Sequence, residues 1–209
     1  MKQQYDYSDF DRVEVGLAYE FEIARGEAHG VWVDAEEGFF KNVKVAVEDG
    51  TLKITHSRHI GWTFRLTRPK VWVVVPDLKG LKVSGAASGT MKGFDSLQDF
   101  SLEMKGATNL DAEFTAAKTD VHLRGACRLT VSGASETAVI DAGGSSNLDL
   151  ERFEVATAAI RLSGVSHATI HVTGRLDVRL NGVSELGWVG EPTMGDIRTS
   201  GVSTMKKIG

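Results

Sequence analysis

A glycine recurs along the C-terminal two-thirds of this chain at nearly constant spacing. Gly85, Gly106, Gly125, Gly144, Gly164, Gly182 and Gly201 are separated by 21, 19, 19, 20, 18 and 19 residues. The columns around it repeat too. Four residues before each glycine stand Leu81, Leu102, Val121, Ile140, Ile160, Val178 and Ile197. Two before it stand Val83, Met104, Leu123, Ala142, Leu162, Leu180 and Thr199. Four after it stand Gly89, Leu110, Leu129, Leu148, Ala168, Leu186 and Met205, and six after it Met91, Ala112, Val131, Leu150, Ile170, Trp188 and Lys207. The positions between are mostly polar, as in the column Lys82, Glu103, His122, Asp141, Arg161, Arg179 and Arg198.

This is period-2 alternation on both sides of a glycine, the pattern of two short strands meeting at a corner. One coil of about 19 residues cannot bury its apolar face alone, but stacked coils can. The predicted fold is all-β: a parallel β-helix, or β-solenoid, with aliphatic ladders inside. Six intervals at the ~4.8 Å strand spacing make a stack roughly 29 Å tall. Glycine suits a corner because it takes a positive φ without steric cost. The residue two places on is small (Ala87, Thr108, Cys127, Ser146, Ser166, Ser184 and Ser203), which lets coils approach closely and places hydroxyls near the backbone. Cys127 falls in this row and reads as a buried small residue. Gly133 and Gly174 suggest a second corner in some coils, with Phe100, Phe114 and Phe153 at the start of a third strand elsewhere.

Residues 1–78 are β-rich without the repeat. Alternating runs include Val13-Glu14-Val15, Phe21-Glu22-Ile23, Val31-Trp32-Val33 and Val43 to Val47, and Asp49-Gly50 marks a hairpin. The predicted organisation is a region over 1–78 that starts or caps the solenoid, followed by Gly-cornered coils over 79–209. Trp188 falls in an interior column and reads as a plug in a terminal coil. Trp32 and Trp72 alternate against valines and read as outer-face packing onto another part of the chain or another subunit, with sugar stacking the weaker reading. Lys206 and Lys207 discourage end-to-end stacking.

The stretch Val73-Val74-Val75-Pro76-Asp77-Leu78-Lys79-Gly80-Leu81-Lys82-Val83-Ser84-Gly85-Ala86, the Gly50 to Ile54 arm before it, and the repeated Gly-Val/Ala-Ser units after it carry a family resemblance. Over about residues 9–205 the chain resembles the bacterial family called putative auto-transporter adhesin, head GIN domain. The resemblance implies a β-helix-like fold and a place in the periplasm or at the cell surface. It supplies no catalytic residues. Residues 1–7 are polar and lack the apolar core of an export signal, so the chain taken as complete predicts a cytoplasmic protein and the chain taken as trimmed predicts an envelope one.

Composition narrows the function classes. The 209 residues carry a net charge of −4, which disfavours a broad nucleic-acid footprint. One cysteine precludes an internal disulfide or a Cys-rich zinc site, and no apolar run is long enough to span a membrane as a helix. His56 with His59, and His167 with His171, are the close histidine pairs among the six; the second lies about 13 Å apart along a strand, too far for one metal. Ser84 to Gly89 is glycine-rich but opens no helix that would cradle a phosphate. The acids Asp111, Asp149, Glu151 and Asp177 read as a solvated face spread over several rows rather than the paired carboxylates of a glycosidase. No catalytic, cofactor-binding or metal residue is therefore predicted. The expectation is a non-enzymatic β-solenoid that binds, adheres or scaffolds at the bacterial envelope through a protein or glycan surface, without nucleic acid. The alternatives are a carbohydrate-active lyase or hydrolase and a self-associating structural solenoid.

Overall fold

The computed structural model describes residues 1–56 and 68–208. The chain runs β1 (Lys2–Tyr5), β2 (Arg12–Val15), β3 (Glu20–Arg25), β4 (Gly30–Asp34), α1 (Glu37–Phe40), β5 (Val43–Glu48), β6 (Thr51–His56), β7 (Lys70–Val75), β8 (Gly80–Gly85), β9 (Ser88–Gly106), β10 (Asn109–Gly125), β11 (Arg128–Gly144), β12 (Asn147–Leu162), β13 (His167–Leu180), β14 (Glu185–Val189), β15 (Thr193–Thr199) and β16 (Thr204–Lys207). These strands belong to one wound sheet, a β-solenoid of about 7 turns.

From β8 onward the pairing is parallel and in register. Leu81, Leu102, Val121, Ile140, Ile160, Val178 and Ile197 sit directly over one another. The first six are at most 3% exposed. Ile197 is 41% exposed, against the interior place its column predicts, because β15 has no coil above it. The columns four and six places after the corner are likewise inward, from Leu110 and Ala112 to Ala168 and Ile170. Each fully buried aliphatic side chain contributes about 1.5–3 kcal/mol before ordering costs.

The corner explains the glycine. Gly144 has φ +93°, and a Cβ there would lie 2.5 Å from the carbonyl oxygen of Gly125 in the coil below. That oxygen accepts the N–H of Ser145 at 2.8 Å, a bond repeated at other corners. The small residue two places on points inward. Ser166, Ser184 and Ser203 donate to the carbonyls of Ser163, Asn181 and Ser200 at 2.9–3.0 Å, closing each corner locally. Cys127 is 2% exposed in this row. At the second bend the register places Phe94, Phe114, Gly133 and Phe153 in one row. Phe100 belongs instead to the row of Thr119, a correction to the expectation that grouped it with Phe114 and Phe153. Gly133 leaves room for the Phe114 and Phe153 rings, two coils apart, to meet at 5.1 Å.

The N-terminal residues both start the stack and cap it. β2 and β3 form a further coil: Val13 lies beneath Leu81, and Ile23 beneath Met91. Its corner residue is Leu17, held at φ +72° where later coils have glycine. Its Tyr19 fills the small-residue row, with a buried hydroxyl that has no partner among the described residues. Burial first, and Tyr5 second, raise the Tyr19 pKa above its ordinary value. The coil beneath is out of chain order, built by β6 under β2 and β7 under β3. β5 and β4 then run antiparallel outside it, β1 pairs antiparallel with β4 and so returns to the stack's direction, and β5 joins β6 through Asp49-Gly50 with φ +51° and +69°. Tyr7 Oη donates to the Val45 carbonyl at 2.9 Å, and the Phe39 ring sits edge-on to Tyr19 at 5.9 Å. On the β5 side the outermost strand is reversed, which ends the parallel template that an open solenoid would expose there.

Two substitutions check this architecture. Ile140→Asp places an unpaired charge in the ladder and should abolish soluble folding. Its outward neighbour Asp141 holds an exposed ion pair with Arg124 at 2.7 Å, so Asp141→Ala should cost about 1 kcal/mol or less, a Tm shift of roughly 2–4 °C at most. Thermal melts with equal effects at both positions would refute the inward–outward alternation. Gly144→Val should destabilise by at least about 2 kcal/mol through positive-φ strain and the clash on Gly125; an unchanged melt would show that the corner tolerates a side chain.

Candidate binding face

The coils present two broad outer faces on either side of the glycine corner. On the side leading into it, the column three before the glycine continues downward as Lys82, Glu14 and Lys53. Along the coils most acids of this side are ion-paired to nearby bases among the described residues, Asp99 and Glu136 excepted. Lys82 pairs with Glu14 at 3.2 Å, Lys118 with Asp120 at 2.9 Å, Arg124 with Asp141 at 2.7 Å, Arg175 with Asp177 at 2.8 Å and Arg198 with Asp196 at 3.1 Å. Lys105 hydrogen-bonds Glu103 and, with Lys82 and His122 nearby, holds its carboxyl below the ordinary value. Arg175 and the backbone N–H of Asp196 do the same for Asp177. Exposed pairs of this kind add little stability. They make this side a self-neutralised, solvated face.

The side leaving the corner differs. Most of the strands there begin three residues after a corner glycine, so positions three and five point outward while four and six fill the core. The fifth position forms an ordered column. In register from the N-terminal end stand Trp72, Glu22, Thr90, Asp111, Thr130, Asp149 and Thr169. Carboxylates thus alternate with threonines, one carboxylate in every second coil. Glu22, Asp111 and Asp149 are exposed, and none has an ion pair among the described residues. Asp149 Oδ1 accepts only the N–H of Glu151 at 3.3 Å. Of the four acids expected to spread over several rows, Asp111 and Asp149 share one column, whereas Asp177 lies on the opposite side of the corner beside Arg175. The column five after each glycine already spells Thr-Asp-Thr-Asp-Thr in the sequence; Glu22 and Trp72 were hidden because their coils lack the marker glycine.

At the N-terminal end of this column Trp72 faces Trp32 across the β4–β7 pair. Both indoles are half-buried. The Trp32 ring lies over Gly30, where a Cβ would come within 2.3 Å of it. The Lys2 ammonium sits 4.6 Å from the Trp72 ring centre and 5.6 Å from that of Trp32. So the outer-face packing expected of the two tryptophans is made onto their own chain. Beside Trp72 a groove of about 350 Å³ is lined by Glu20, Glu22, Lys70, Ser88, Thr90, Asn109 and Asp111.

The remaining singled-out residues take structural places. His29 Nε2 is 2.9 Å from the Phe10 carbonyl, His56 packs on Phe39 at 4.8 Å, and His167 Nδ1 is 3.3 Å from Glu185. His59 and Trp62 lie outside the described residues. Trp188 packs against the core beneath Lys207. Among the described residues no three His, Cys, Asp or Glu side chains gather to hold a metal, and no helix is long and apolar enough to cross a membrane. Further along the solenoid the corner carries a ridge of stacked valines, Val165, Val183 and Val202, at 62%, 56% and 76% exposure.

The family model described as putative auto-transporter adhesin, head GIN domain, matches residues 9–192. The chain belongs to this family. Solved structures share the fold of this head GIN-domain protein. A putative adhesin from Bacteroides fragilis superimposes with TM-score 0.93 at 20% identity, covering 100% of this chain and 96% of that one. A putative lipid binding protein from Parabacteroides distasonis gives TM-score 0.76 at 18% identity, and a putative adhesin from Parabacteroides merdae 0.71 at 15%, each covering 100% of this chain and 96% of the other. Comparison with curated proteins finds no match.

The Lys2 contact over the indoles is a cation–π interaction worth about 0.5–1 kcal/mol at an exposed site. Lys2→Ala should leave Tm within about 2 °C and raise acrylamide quenching of tryptophan emission, and Trp72→Phe should remove that increment. Quenching that is the same with and without Lys2 would place the ammonium elsewhere.

Proposed function

We propose that this head GIN-domain protein is a non-enzymatic binding and adhesion protein of the bacterial cell envelope. In this reading it engages its partner surface with the face that leaves the glycine corner. The observation that carries the reading is the contrast between the two sides of the corner. On one, most carboxylates are satisfied by their own neighbours. On the other, Glu22, Asp111 and Asp149 stand exposed without ion pairs, in a column that ends on two half-buried tryptophans. Exposed indole surface gains from being covered, and solvated carboxylates repay their desolvation only against complementary donors, so this face suits a partner that supplies both. The family description and the adhesin neighbours agree with an envelope location.

Catalysis fits this face less well. Glycoside hydrolysis by acid and base needs one carboxyl kept protonated in apolar surroundings, whereas Asp111 and Asp149 are exposed on an open sheet. A second reading, contact with a lipid or other apolar surface, is favoured by the valine ridge at Val165, Val183 and Val202 and by the neighbour described as a putative lipid binding protein.

The test presents the immobilised chain to bacterial envelope preparations, purified polysaccharides and lipid vesicles. Saturable binding to envelope or polysaccharide is expected. Trp72→Ala with Asp111→Ala should weaken it about tenfold or more, the equivalent of about 1.4 kcal/mol, while Val183→Ser leaves it unchanged. Release of new reducing ends from any polysaccharide would replace the binding reading with an enzymatic one. Vesicle binding lost in Val183→Ser would shift the site to the ridge.

A further inference from the structure

We propose that the column from Trp72 to Thr169 is a binding site for a β-1,4-linked amino-sugar glycan lying along the solenoid axis. The proposal rests on the binding-face reading above and names its ligand class. Three observations select this chemistry.

The first is spacing. Carboxylates recur in every second coil, so along the axis they repeat at about 9.6 Å, close to the roughly 10 Å repeat of a β-1,4-linked disaccharide. In such a chain each sugar is turned about half a revolution relative to the last. Any one edge therefore presents the same ring substituent once per disaccharide. An amine at C2 of alternate sugars meets Glu22, Asp111 and Asp149 in turn, while Thr90 and Thr130 face the hydroxyls of the sugars between. Glu22 to Asp149 spans four coil steps, about 19 Å. The accumulated mismatch over that length is small enough for flexible carboxylate side chains to absorb.

The second is charge. The three carboxylates carry no ion pair among the described residues, in a molecule whose opposite face pairs most of its acids with neighbouring bases. Arg128, one column away, stands in the coil between Asp111 and Asp149 and so leaves three carboxylates facing one guanidinium, and Lys70 is engaged with Glu20 at 3.5 Å. The column thus repels an anionic polymer and accepts ammonium groups through charge-assisted hydrogen bonds.

The third is the indole surface. Trp72 stands one coil step beyond Glu22 and offers a flat face to the C–H side of a sugar ring. Its electron-rich face already holds an ammonium group, that of Lys2. Trp72 lies in the threonine phase of the column, so it meets a sugar ring whose amine points away, and exposed Lys2 can swing aside at little cost to uncover the indole for that ring.

The experiment titrates the full chain with a β-1,4-linked glucosamine hexamer at about pH 6, below the usual range of an amine of this type. Calorimetry and tryptophan emission give the affinity. Cellohexaose, the fully N-acetylated hexamer and hexalysine are compared. The glucosamine hexamer should bind at least about tenfold tighter than the other three and perturb tryptophan emission. Asp111→Asn with Asp149→Asn should remove that advantage without moving Tm, since both side chains are exposed and without ion pairs. Equal binding by cellohexaose would overturn amine recognition. Equal binding by hexalysine would overturn recognition of a glycan. Undiminished binding by the double Asn variant would overturn the column as the site. If the hexamer fails while envelope preparations still bind, the ligand class alone is wrong; if both fail, the binding-face reading falls with it.

Discussion

The bond from Ser145 N–H to the Gly125 carbonyl, and its counterparts at neighbouring corners, fixes the coil-to-coil register. With the corner pinned at 2.8 Å, residues at equal distance from successive glycines must lie over one another. The pinning needs the carbonyl of one corner to sit where the next corner's Cβ would be, 2.5 Å from it at Gly144. A side chain there would block the bond and strain the backbone together. Buried ladders from Leu81 to Val178 then follow, because an aliphatic column in register covers itself with no search for complementary shapes. At the last coil the same column opens, and Ile197 goes from buried to 41% exposed with no change in its own conformational class.

Register acts on the outside as strictly as on the inside. Once coils stack without slip, any outward column is a straight line of side chains at ~4.8 Å steps. Opposite charges in adjacent positions of such a line neutralise one another, as between Glu14 and Lys82, and those in neighbouring columns do so diagonally, as between Arg124 and Asp141. Threonine between carboxylates does something else. It separates like charges by two steps, lowering their repulsion without pairing them. The Glu22-Thr90-Asp111-Thr130-Asp149-Thr169 column keeps its charge available to something outside the chain. The pattern is a property of the column, not of any one coil.

How much of this could be read from the sequence depends on the marker glycine. From Leu81 to Val178 the register, the interior columns and the inward serines follow from counting outward from each glycine, and the structure reproduces them; the register alone continues to Ile197. Counting failed at the second bend, where insertions between Gly85 and Gly106 put Phe94, not Phe100, in the row of Phe114. It also failed to single out the Thr-Asp column, although those residues were countable, because the acids were read by type instead of by distance from the corner. Below Leu81 the marker is lost. Leu17 takes the corner at φ +72°, and the next coil comes from residues later in the chain, so no constant spacing leads from Gly85 to Glu22 or Trp72. Alternation alone identified the strands there but could not order them.

The two ends are closed by different physics. At the N-terminal end β5 and β4 run antiparallel to the stack, so a second molecule meets a reversed strand at β5, while β1, antiparallel to β4, covers the β4 edge in the stack's own direction. At the C-terminal end the strand direction is unchanged, and Ile197 and Met194 are partly exposed. Here the interior column itself turns polar, as Lys207 stands over Trp188 with its ammonium on Glu191. Another coil added above would have to cover the stem of that lysine and displace or desolvate its ammonium, a penalty that an aliphatic residue in the same column would not impose. Lys206, paired with Glu185 at 2.8 Å, lies on the outer side and adds no such barrier. The restraint on further stacking therefore comes from the one exposed lysine that stands in an interior column, and the outer columns stay available along the length of the solenoid.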